Sequence, residues 1–140
     1  MWYIKKKFKI PIGHRLLNHK GKCHNIHGHE ICIEIQLSCE YLNSNDMVVD
    51  FSDLKEWFNK IIGDELDHAL VLNYDDKFNP IGHAKIIRTL GEPTAEYMAA
   101  FVFHKLKNKI KELFPENYKH VNIDFLQVWE NENSMAGYKE

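Results

Sequence analysis

Residues 31–38 read Ile31-Cys32-Ile33-Glu34-Ile35-Gln36-Leu37-Ser38, in which aliphatic side chains alternate with a cysteine and polar side chains. Successive side chains of a β-strand point to opposite faces of the sheet, so this alternation predicts a strand with one buried face. Residues 2–10 alternate in the same way, and only Lys6 interrupts their apolar side. The polar run between the two stretches, at 18–22, predicts the loop of a β-hairpin.

Two helices are predicted after this hairpin. Apolar side chains recur at positions 54, 57, 58, 61 and 62, the spacing of a helix with one buried stripe, and Asp50 or Ser52 could cap it. Pro93 is predicted to open the second helix, because a first turn has no partner for the N–H that proline lacks. Pro115 is predicted to close that helix. Its apolar stripe consists of Met98, Phe101, Val102, Leu106, Ile110 and Leu113.

The end of the chain returns to strand-like alternation. Residues 120–130 alternate, and the tail to Tyr138 is long enough for one more strand after a turn at 131–133. The element order ββααββ predicts a single α+β domain over residues 1–140, with a four-stranded antiparallel sheet and both helices on one face. Two edges of such a sheet would be unpaired, and joining sheets between subunits would cover them.

Composition and charge exclude several classes of protein. The formal net charge is −2, and the one basic run, Lys5-Lys6-Lys7, lies in an alternating strand, so we expect no nucleic-acid partner. No apolar run approaches the ~20 residues that cross a bilayer, and the N-terminus has no signal-peptide pattern. Three cysteines cannot all pair within one chain. We therefore expect a soluble cytoplasmic protein with reduced thiols and no membrane partner.

The strongest chemical signal is a group of histidines around the hairpin. Residues two apart on a strand share a face, so His27 and His29 would present two imidazoles side by side. His14, at the end of the partner strand, could supply a third nitrogen. Three histidines with an open fourth position are typical of a catalytic zinc site. The alternative interpretation is a set of surface histidines in a polar hairpin.

Three further positions could carry chemistry. Cys23 lies beside the histidines, and a metal cation would lower the pKa of its thiol and make it a base or nucleophile; the alternative is a small packing residue. Asp67 precedes His68, and a carboxylate that orients an imidazole is a common acid–base pair. Adjacent Asp and His also occur simply at the C-terminus of a helix. Glu130, alone at the end of a strand, would ordinarily be exposed to solvent.

Taken in order, several short motifs of this chain resemble the 6-pyruvoyltetrahydropterin synthase and 6-carboxytetrahydropterin synthase family. They are His14-Arg15-Leu16, Cys23-x-x-x-His27-Gly28-His29, Met47-Val48-Val49-Asp50-Phe51, Leu66-Asp67-His68, Pro93-Thr94-Ala95-Glu96 and Glu130. The resemblance extends from about residue 3 to residue 138. It implies the tunnelling fold, in which ββααββ subunits join into a barrel. It also implies a homohexamer formed by two stacked trimers, with active sites between subunits.

The resemblance implies a role for each motif. The residues that would perform the chemistry are His14, His27 and His29 as Zn²⁺ ligands, Cys23 as the proton-abstracting thiolate, and Asp67 with His68 as a second proton-transfer pair. Glu130 would hold the pterin, because a carboxylate can accept the ring N–H and the exocyclic amine together. Thr94 and Glu96 belong to the motif on the substrate side and are assigned to pterin binding. They could instead be helix-start residues only.

The resemblance also implies the reaction. The substrate would be 7,8-dihydroneopterin triphosphate, with zinc as a Lewis acid at its side-chain oxygens. One branch of the family keeps the side chain as a pyruvoyl group. The other cleaves it to 6-carboxy-5,6,7,8-tetrahydropterin and acetaldehyde, on the route to queuosine and related deazapurines. Three residues between Cys23 and His27 favour the carboxy branch of these lyases. A third branch, with glutamate at the position of His24, is disfavoured because Cys23 is present.

Two stretches depart from the family pattern. Pro11-Ile12-Gly13 stands where Ser/Ala-Ala-type residues are usual. The stretch 73–91, which includes His83 and Arg88, is longer than in compact members and could be a lid or an interface loop. The candidates for binding triphosphate are basic residues beside the site, namely Lys20, Lys22 and His24.

Two other functions compete with this one. A non-catalytic pterin-binding protein on the same fold would need neither Cys23 nor the Asp67-His68 pair. A different three-histidine metal enzyme, such as a hydratase or a cupin-like oxygenase, could be built around His27-Gly28-His29. The two helices predicted in the middle of the chain fit neither of those folds well.

Overall fold

The computed structural model describes residues 1–80, 82 and 84–140. These residues form one mixed sheet of six strands, in the order β4-β3-β1-β2-β5-β6. The strands are β1 (Trp2–His14), β2 (His27–Cys39), β3 (Ala69–Asn73), β4 (Ile86–Thr89), β5 (Asn122–Asn131) and β6 (Ser134–Tyr138). The helices are α1 (Phe51–Phe58), α2 (Asp64–Leu66), α3 (Ala95–Leu113) and α4 (Pro115–Tyr118). A π-helical segment, Asn59–Gly63, joins α1 to α2, and a 3₁₀ turn covers Lys22–His24.

The predicted hairpin is confirmed. Strands β1 and β2 are antiparallel, with Trp2 opposite Cys39 at one end and His14 opposite His27 at the other. Each strand has 13 residues, so both extend beyond the alternating stretches into the motifs that carry the histidines. The long ladder therefore holds both histidine motifs at the same end of the sheet.

The α+β fold class is confirmed, but the prediction of four antiparallel strands is wrong. Strands β3 and β4 are additional, and they run parallel to β1 and to each other, so the element order is ββαββαββ. Strand β3 reads Ala-Leu-Val-Leu-Asn and is buried along nearly its whole length. A strand that is covered on both faces has no polar side to alternate with, which removes the period-two signal. Strand β4 lies within the stretch 73–91, for which the sequence suggests a lid or an interface loop.

Both helices pack on the same face of the sheet. The predicted stripe of α1 and its continuation is buried, and the rings of Phe8 and Phe58 stack with centroids 3.9 Å apart. Asp50 is the N-cap of α1, since its carboxylate accepts a hydrogen bond from the Ser52 N–H at 2.7 Å. Within α3, Phe103 is buried, whereas Leu113 is 41% exposed, contrary to the predicted stripe.

The second predicted helix begins at Ala95, two residues after the predicted start at Pro93. Thr94 is its N-cap, with its hydroxyl accepting from the Tyr97 N–H at 3.2 Å, and Pro93 lies just before the cap. A threonine hydroxyl can satisfy an unpaired N–H of the first turn, which proline cannot do. Pro115 follows the end of the helix as predicted and starts α4.

Strands β4 and β6 form the two edges of the sheet. Each pairs on one side only within the described part of this chain. None of the described helices combines the length and the apolar character needed to cross a lipid bilayer.

Candidate active site

Three histidines meet at the end of the hairpin. The register places His14 opposite His27 and Ile12 opposite His29, so all three imidazoles lie on the same face of the sheet. Their ring centroids are 4.5 to 5.1 Å apart. Each ring offers one nitrogen to a common point, and these three nitrogens lie within 4.8 Å of one another.

Main-chain carbonyls orient two of these rings. His14 Nδ1 lies 2.8 Å from the Pro93 carbonyl oxygen, and His27 Nδ1 lies 2.7 Å from that of Asn25. A carbonyl only accepts hydrogen bonds, so each Nδ1 carries the proton and each Nε2 keeps its lone pair. A histidine that binds a metal usually donates its other ring N–H in this way.

His14 is the most deeply buried of the three, with 3% of its surface exposed. Burial lowers the pKa of its imidazole; the Pro93 carbonyl and Glu130 oppose this, and the neighbouring histidines reinforce it. His14 is therefore neutral near pH 7, which is the form that binds a metal. Its Nε2 is buried and has no hydrogen-bond partner among the described residues. A buried lone pair that faces two more imidazoles fits a divalent metal such as zinc.

A cavity of about 690 Å³ opens beside the histidines. Its volume suits a small organic ligand of pterin size. The lining residues are His14, Leu16, Lys22, Cys23, His27, His29, Thr94, Ala95, Glu96, Glu130, Ser134, Met135 and Ala136. The fold thus brings together the three histidines, Cys23, Glu130, Thr94 and Glu96, which come from four separate motifs of the sequence.

The side chains other than the histidines are positioned by three elements, namely the 3₁₀ turn, the start of α3 and strand β5. Cys23 is half-buried in the 3₁₀ turn, and its carbonyl accepts from the Leu16 N–H at 2.9 Å. Thr94 caps α3 and also lines the cavity, so the two interpretations of this residue are compatible. Glu96 is exposed in the first turn of α3. Glu130 is half-buried near the end of β5.

Asp67 and His68 do not line this cavity. They form the turn between α2 and β3, where His68 Nδ1 lies 2.9 Å from Asp67 Oδ1. Their side chains are 55% and 79% exposed, respectively. Within one chain, the carboxylate–histidine pair therefore occupies a separate surface from His14, His27 and His29.

One of the three basic candidates reaches the cavity. Lys22 lines it and is its one lysine or arginine among the residues that the structure describes. Lys20 does not line it, and His24 instead places Nδ1 3.0 Å from the Leu17 carbonyl oxygen.

The stretch 73–91 is held beside the group of three histidines by side-chain hydrogen bonds. Arg15, which follows His14, donates two hydrogen bonds of 2.6 Å to the carboxylate of Asp76, and Asp76 is 3% exposed. The guanidinium of Arg15 holds the pKa of Asp76 below its usual range. Arg88 donates to the carbonyls of Asp76 and Phe78. These hydrogen bonds hold residues 74–78 near the end of β1. His83, which belongs to the same stretch, lies outside the described residues.

Two parts of the site were not predicted from the sequence. They are the main-chain carbonyls that orient the histidines and the part of the cavity wall that β6 forms. The carbonyls of Asn25 and Pro93 have no signature in residue type, because every residue carries a carbonyl. Ser134, Met135 and Ala136 enter the cavity through the pairing of β6 with β5. The turn predicted at 131–133 was the available signal, since a tight turn after Glu130 returns the chain past it.

Comparison with known proteins identifies the family. The family model described as 6-pyruvoyl tetrahydropterin synthase matches residues 3–140. The chain is 31% identical to the 6-carboxy-5,6,7,8-tetrahydropterin synthase of Haemophilus influenzae, with all of both chains covered. It is 30% identical to the enzyme of that name from Aquifex aeolicus, covering 99% of this chain and 98% of the relative.

Solved structures share the fold at lower identity. An uncharacterized protein from Wolinella succinogenes superposes with a TM-score of 0.79 at 21% identity, covering 99% of this chain and 97% of the other. The 6-pyruvoyl tetrahydropterin synthase of Plasmodium falciparum superposes with a TM-score of 0.71 at 19% identity, covering 99% and 98%. The tunnelling fold expected from the motifs is confirmed, and the chain belongs to the 6-pyruvoyl tetrahydropterin synthase family.

Proposed function

We propose that this lyase converts 7,8-dihydroneopterin triphosphate and one water molecule to 6-carboxy-5,6,7,8-tetrahydropterin, acetaldehyde and triphosphate, a step toward queuosine and related deazapurines. The observation that carries the proposal is the meeting of three metal-competent histidines, Cys23 and Glu130 in one cavity. Relatives named 6-carboxy-5,6,7,8-tetrahydropterin synthase, at about the same chain length, favour the carboxy product. The whole chain, 1–140, would act as one domain.

Zinc would be held by His14, His27 and His29, and when bound it supplies a Lewis acid for the side-chain oxygens of the substrate. The proposal of a metal rests on the buried, unpartnered Nε2 of His14 and on the neutral form of its ring. Three nitrogen ligands from strands β1 and β2 match the preference of zinc for imidazole.

Cys23 would remove a proton from the side-chain carbon next to the pterin ring. It lies on the cavity wall together with all three histidines, so a substrate held there can reach its thiolate. A cation bound by those histidines would favour the thiolate over the thiol. Cys32 and Cys39 do not line this cavity. Free thiols at all three cysteines fit a reducing cytoplasm, where we expect the protein to act.

Glu130 would anchor the pterin ring. A carboxylate accepts two parallel N–H donors, and a pterin presents a ring N–H and an exocyclic amine side by side. Thr94 and Glu96 lie at the start of α3 on the same cavity and would contact the rest of the ring. Lys22 would meet the triphosphate, because it is the cavity's lysine among the described residues.

Asp67 and His68 would act in the site of a neighbouring copy. Both are exposed outside the cavity of their own chain, and the sheet leaves its β4 and β6 edges unpaired. Pairing of such edges between subunits would close the sheets into a barrel and bring one copy's turn toward another's cavity. We propose a homohexamer of two stacked trimers, in which Asp67 orients His68 as the second proton-transfer group.

The decisive test is a product assay with zinc-loaded protein and 7,8-dihydroneopterin triphosphate. Mass spectrometry would identify the pterin, and a separate assay would measure acetaldehyde. We expect the 6-carboxy product with acetaldehyde in equal amounts. A pyruvoyl product without acetaldehyde would overturn the carboxy branch. Binding of the substrate without turnover by metal-replete protein would favour a pterin-binding protein instead.

A further inference from the structure

The turn that carries Asp67 and His68 is held by its main chain, although its side chains are exposed. The Asp67 N–H donates to the Gly63 carbonyl at 2.9 Å, and the His68 N–H donates to the Pro11 carbonyl at 2.9 Å. The ammonium of Lys85 donates to the carbonyl of Asp67 at 2.8 Å and also to that of Asp64. Three separate elements therefore fix two consecutive residues.

The main chain of this turn has an uncommon conformation. Asp67 has φ −57° and ψ 119°, and His68 has φ 59°. The Asp67 angles match the first central residue of a type II turn, and the positive φ of His68 matches the second, which is usually glycine. Positive φ is unfavourable for a residue with a Cβ atom and persists when the surroundings impose it. Something around the turn must therefore select this form for a histidine.

A type I turn is the alternative for the same chain path. The two types differ by a flip of the central peptide, which here joins Asp67 to His68. The flip would give His68 a negative φ and would turn the Asp67 carbonyl toward the opposite side. Lys85 holds that carbonyl and the Pro11 carbonyl holds the His68 N–H of the same peptide, so both hydrogen bonds are made in the type II form and lost in the other.

Lys85 is well placed to hold the carbonyl of Asp67. It lies immediately before β4, and its own carbonyl accepts from the Leu70 N–H at 2.8 Å, beside the start of β3. A protonated amine forms stronger hydrogen bonds to carbonyls than a neutral donor does. The residue belongs to the stretch 73–91, which the motifs of the sequence left without a role.

We propose that Lys85 is a positioning residue for the Asp67–His68 pair, because it holds the Asp67–His68 peptide in the type II orientation. That orientation sets His68 Nδ1 against Asp67 Oδ1 at 2.9 Å and directs the imidazole outward. Lys85 touches neither substrate nor metal in this assignment. The expected effect of Lys85 on turnover rests on the proposed proton-transfer role of the pair. Its expected effect on the orientation of the Asp67–His68 peptide does not depend on that role.

The test compares Lys85→Met, Lys85→Arg and Lys105→Met in the full chain. Methionine keeps the apolar stem of Lys85 without the ammonium, and arginine restores a cationic donor. Lys105 is the matched control, because its ammonium contacts α2 through the side chain of Glu65 rather than through the turn. The nuclear Overhauser effect between Asp67 Hα and His68 HN reports the peptide orientation, since it is strong in type II and weak in type I turns.

We expect Lys85→Met to weaken this signal, with Lys85→Arg and Lys105→Met close to the wild type. In the product assay, Lys85→Met should lower kcat by roughly tenfold, a part of the 10²- to 10⁴-fold that a positioned acid–base group contributes, with KM nearly unchanged. An unchanged signal in Lys85→Met, or equal losses in Lys85→Met and Lys105→Met, would overturn the proposal. Absence of turnover in the wild type would instead count against the proposed function and leave the spectroscopic test intact.

Discussion

The histidine group of the hairpin and the Asp67–His68 turn represent two ways of positioning candidate functional side chains. The hairpin places its histidines through a regular antiparallel register, in which His14 opposes His27, and the site is enclosed in one chain. The turn places its histidine through hydrogen bonds from distant elements, and the side chain remains exposed. The first arrangement needs only one chain, whereas the exposure of the second agrees with the proposal that it serves a neighbouring copy. The predictions that follow test this contrast.

Loss of a metal ligand should have the largest effect. We expect His29→Ala to lose most of its bound zinc and to reduce turnover on the order of 10³-fold, since a Lewis acid contributes several kcal/mol. The measurements are metal content after dialysis and kcat with saturating zinc. His120→Ala, an exposed histidine outside the cavity, is the control and should keep both. Full metal content in His29→Ala would remove this residue from the ligand set.

Complementation tests whether the second region serves a neighbouring copy. Cys23→Ala and His68→Ala should each lower turnover by about 10²-fold or more, while zinc and pterin binding persist. If every site takes Cys23 from one copy and His68 from another, oligomers that contain both variants include some sites in which Cys23 and His68 are both intact. Random assembly of equal amounts should restore about one quarter of wild-type activity.

The control for complementation is a mixture of wild-type protein with the double variant, assembled in the same way. Activity in the mixed single variants that stays at the level of either parent would show that each site draws both residues from the same chain. Cys32→Ala, which changes a cysteine outside the cavity, should leave turnover intact.

The same contrast explains what could be predicted from the sequence. The hairpin, the stripe of α1 and the group at His14, His27 and His29 follow from regular periods of two or of 3.6, and each period is visible in a single chain. Strand β3 was missed because its first four residues are all apolar and because β1, one of its two partners, lies far away in sequence. The main-chain contacts of Lys85 and Pro93 were missed because a carbonyl has no side-chain signature.

The family motifs identified candidate ligand-binding residues that the periodicity of strands and helices could not identify. Glu130 and Thr94 look ordinary as isolated residues, and the order of the motifs was the reason to assign them to a ligand. The structure places both on the cavity wall. Asp67 and His68 belong to the same set of motifs and yet lie outside the cavity, which a linear pattern cannot indicate. In the proposed homohexamer they would reach the cavity of a neighbouring copy, and the edges β4 and β6 would direct that assembly.

A smaller effect is expected at Glu130, the proposed pterin anchor on β5, which lines the same cavity as the three histidines. Glu130→Gln should weaken pterin binding by roughly 10- to 100-fold, since hydrogen bonds to a charged acceptor contribute about 1.5–3 kcal/mol. Zinc content should be unchanged, because the metal group does not include this residue. Glu132→Gln, in the exposed turn two residues later, is the control. Equal affinity of Glu130→Gln and the wild type, measured by calorimetry, would assign Glu130 to solvent.

The smallest effect is expected at Lys22, which lines the cavity but is exposed to solvent. An exposed ion contact contributes up to about 1 kcal/mol, so Lys22→Met should raise KM for the triphosphate substrate by about threefold to fivefold. Binding of 7,8-dihydroneopterin without phosphates should be unaffected, and Lys20→Met, outside the cavity, should change neither value. Added salt should narrow the difference between Lys22→Met and the wild type, because it screens the same contact. If both ligands lose affinity equally in Lys22→Met, the lysine shapes the cavity and does not meet the triphosphate.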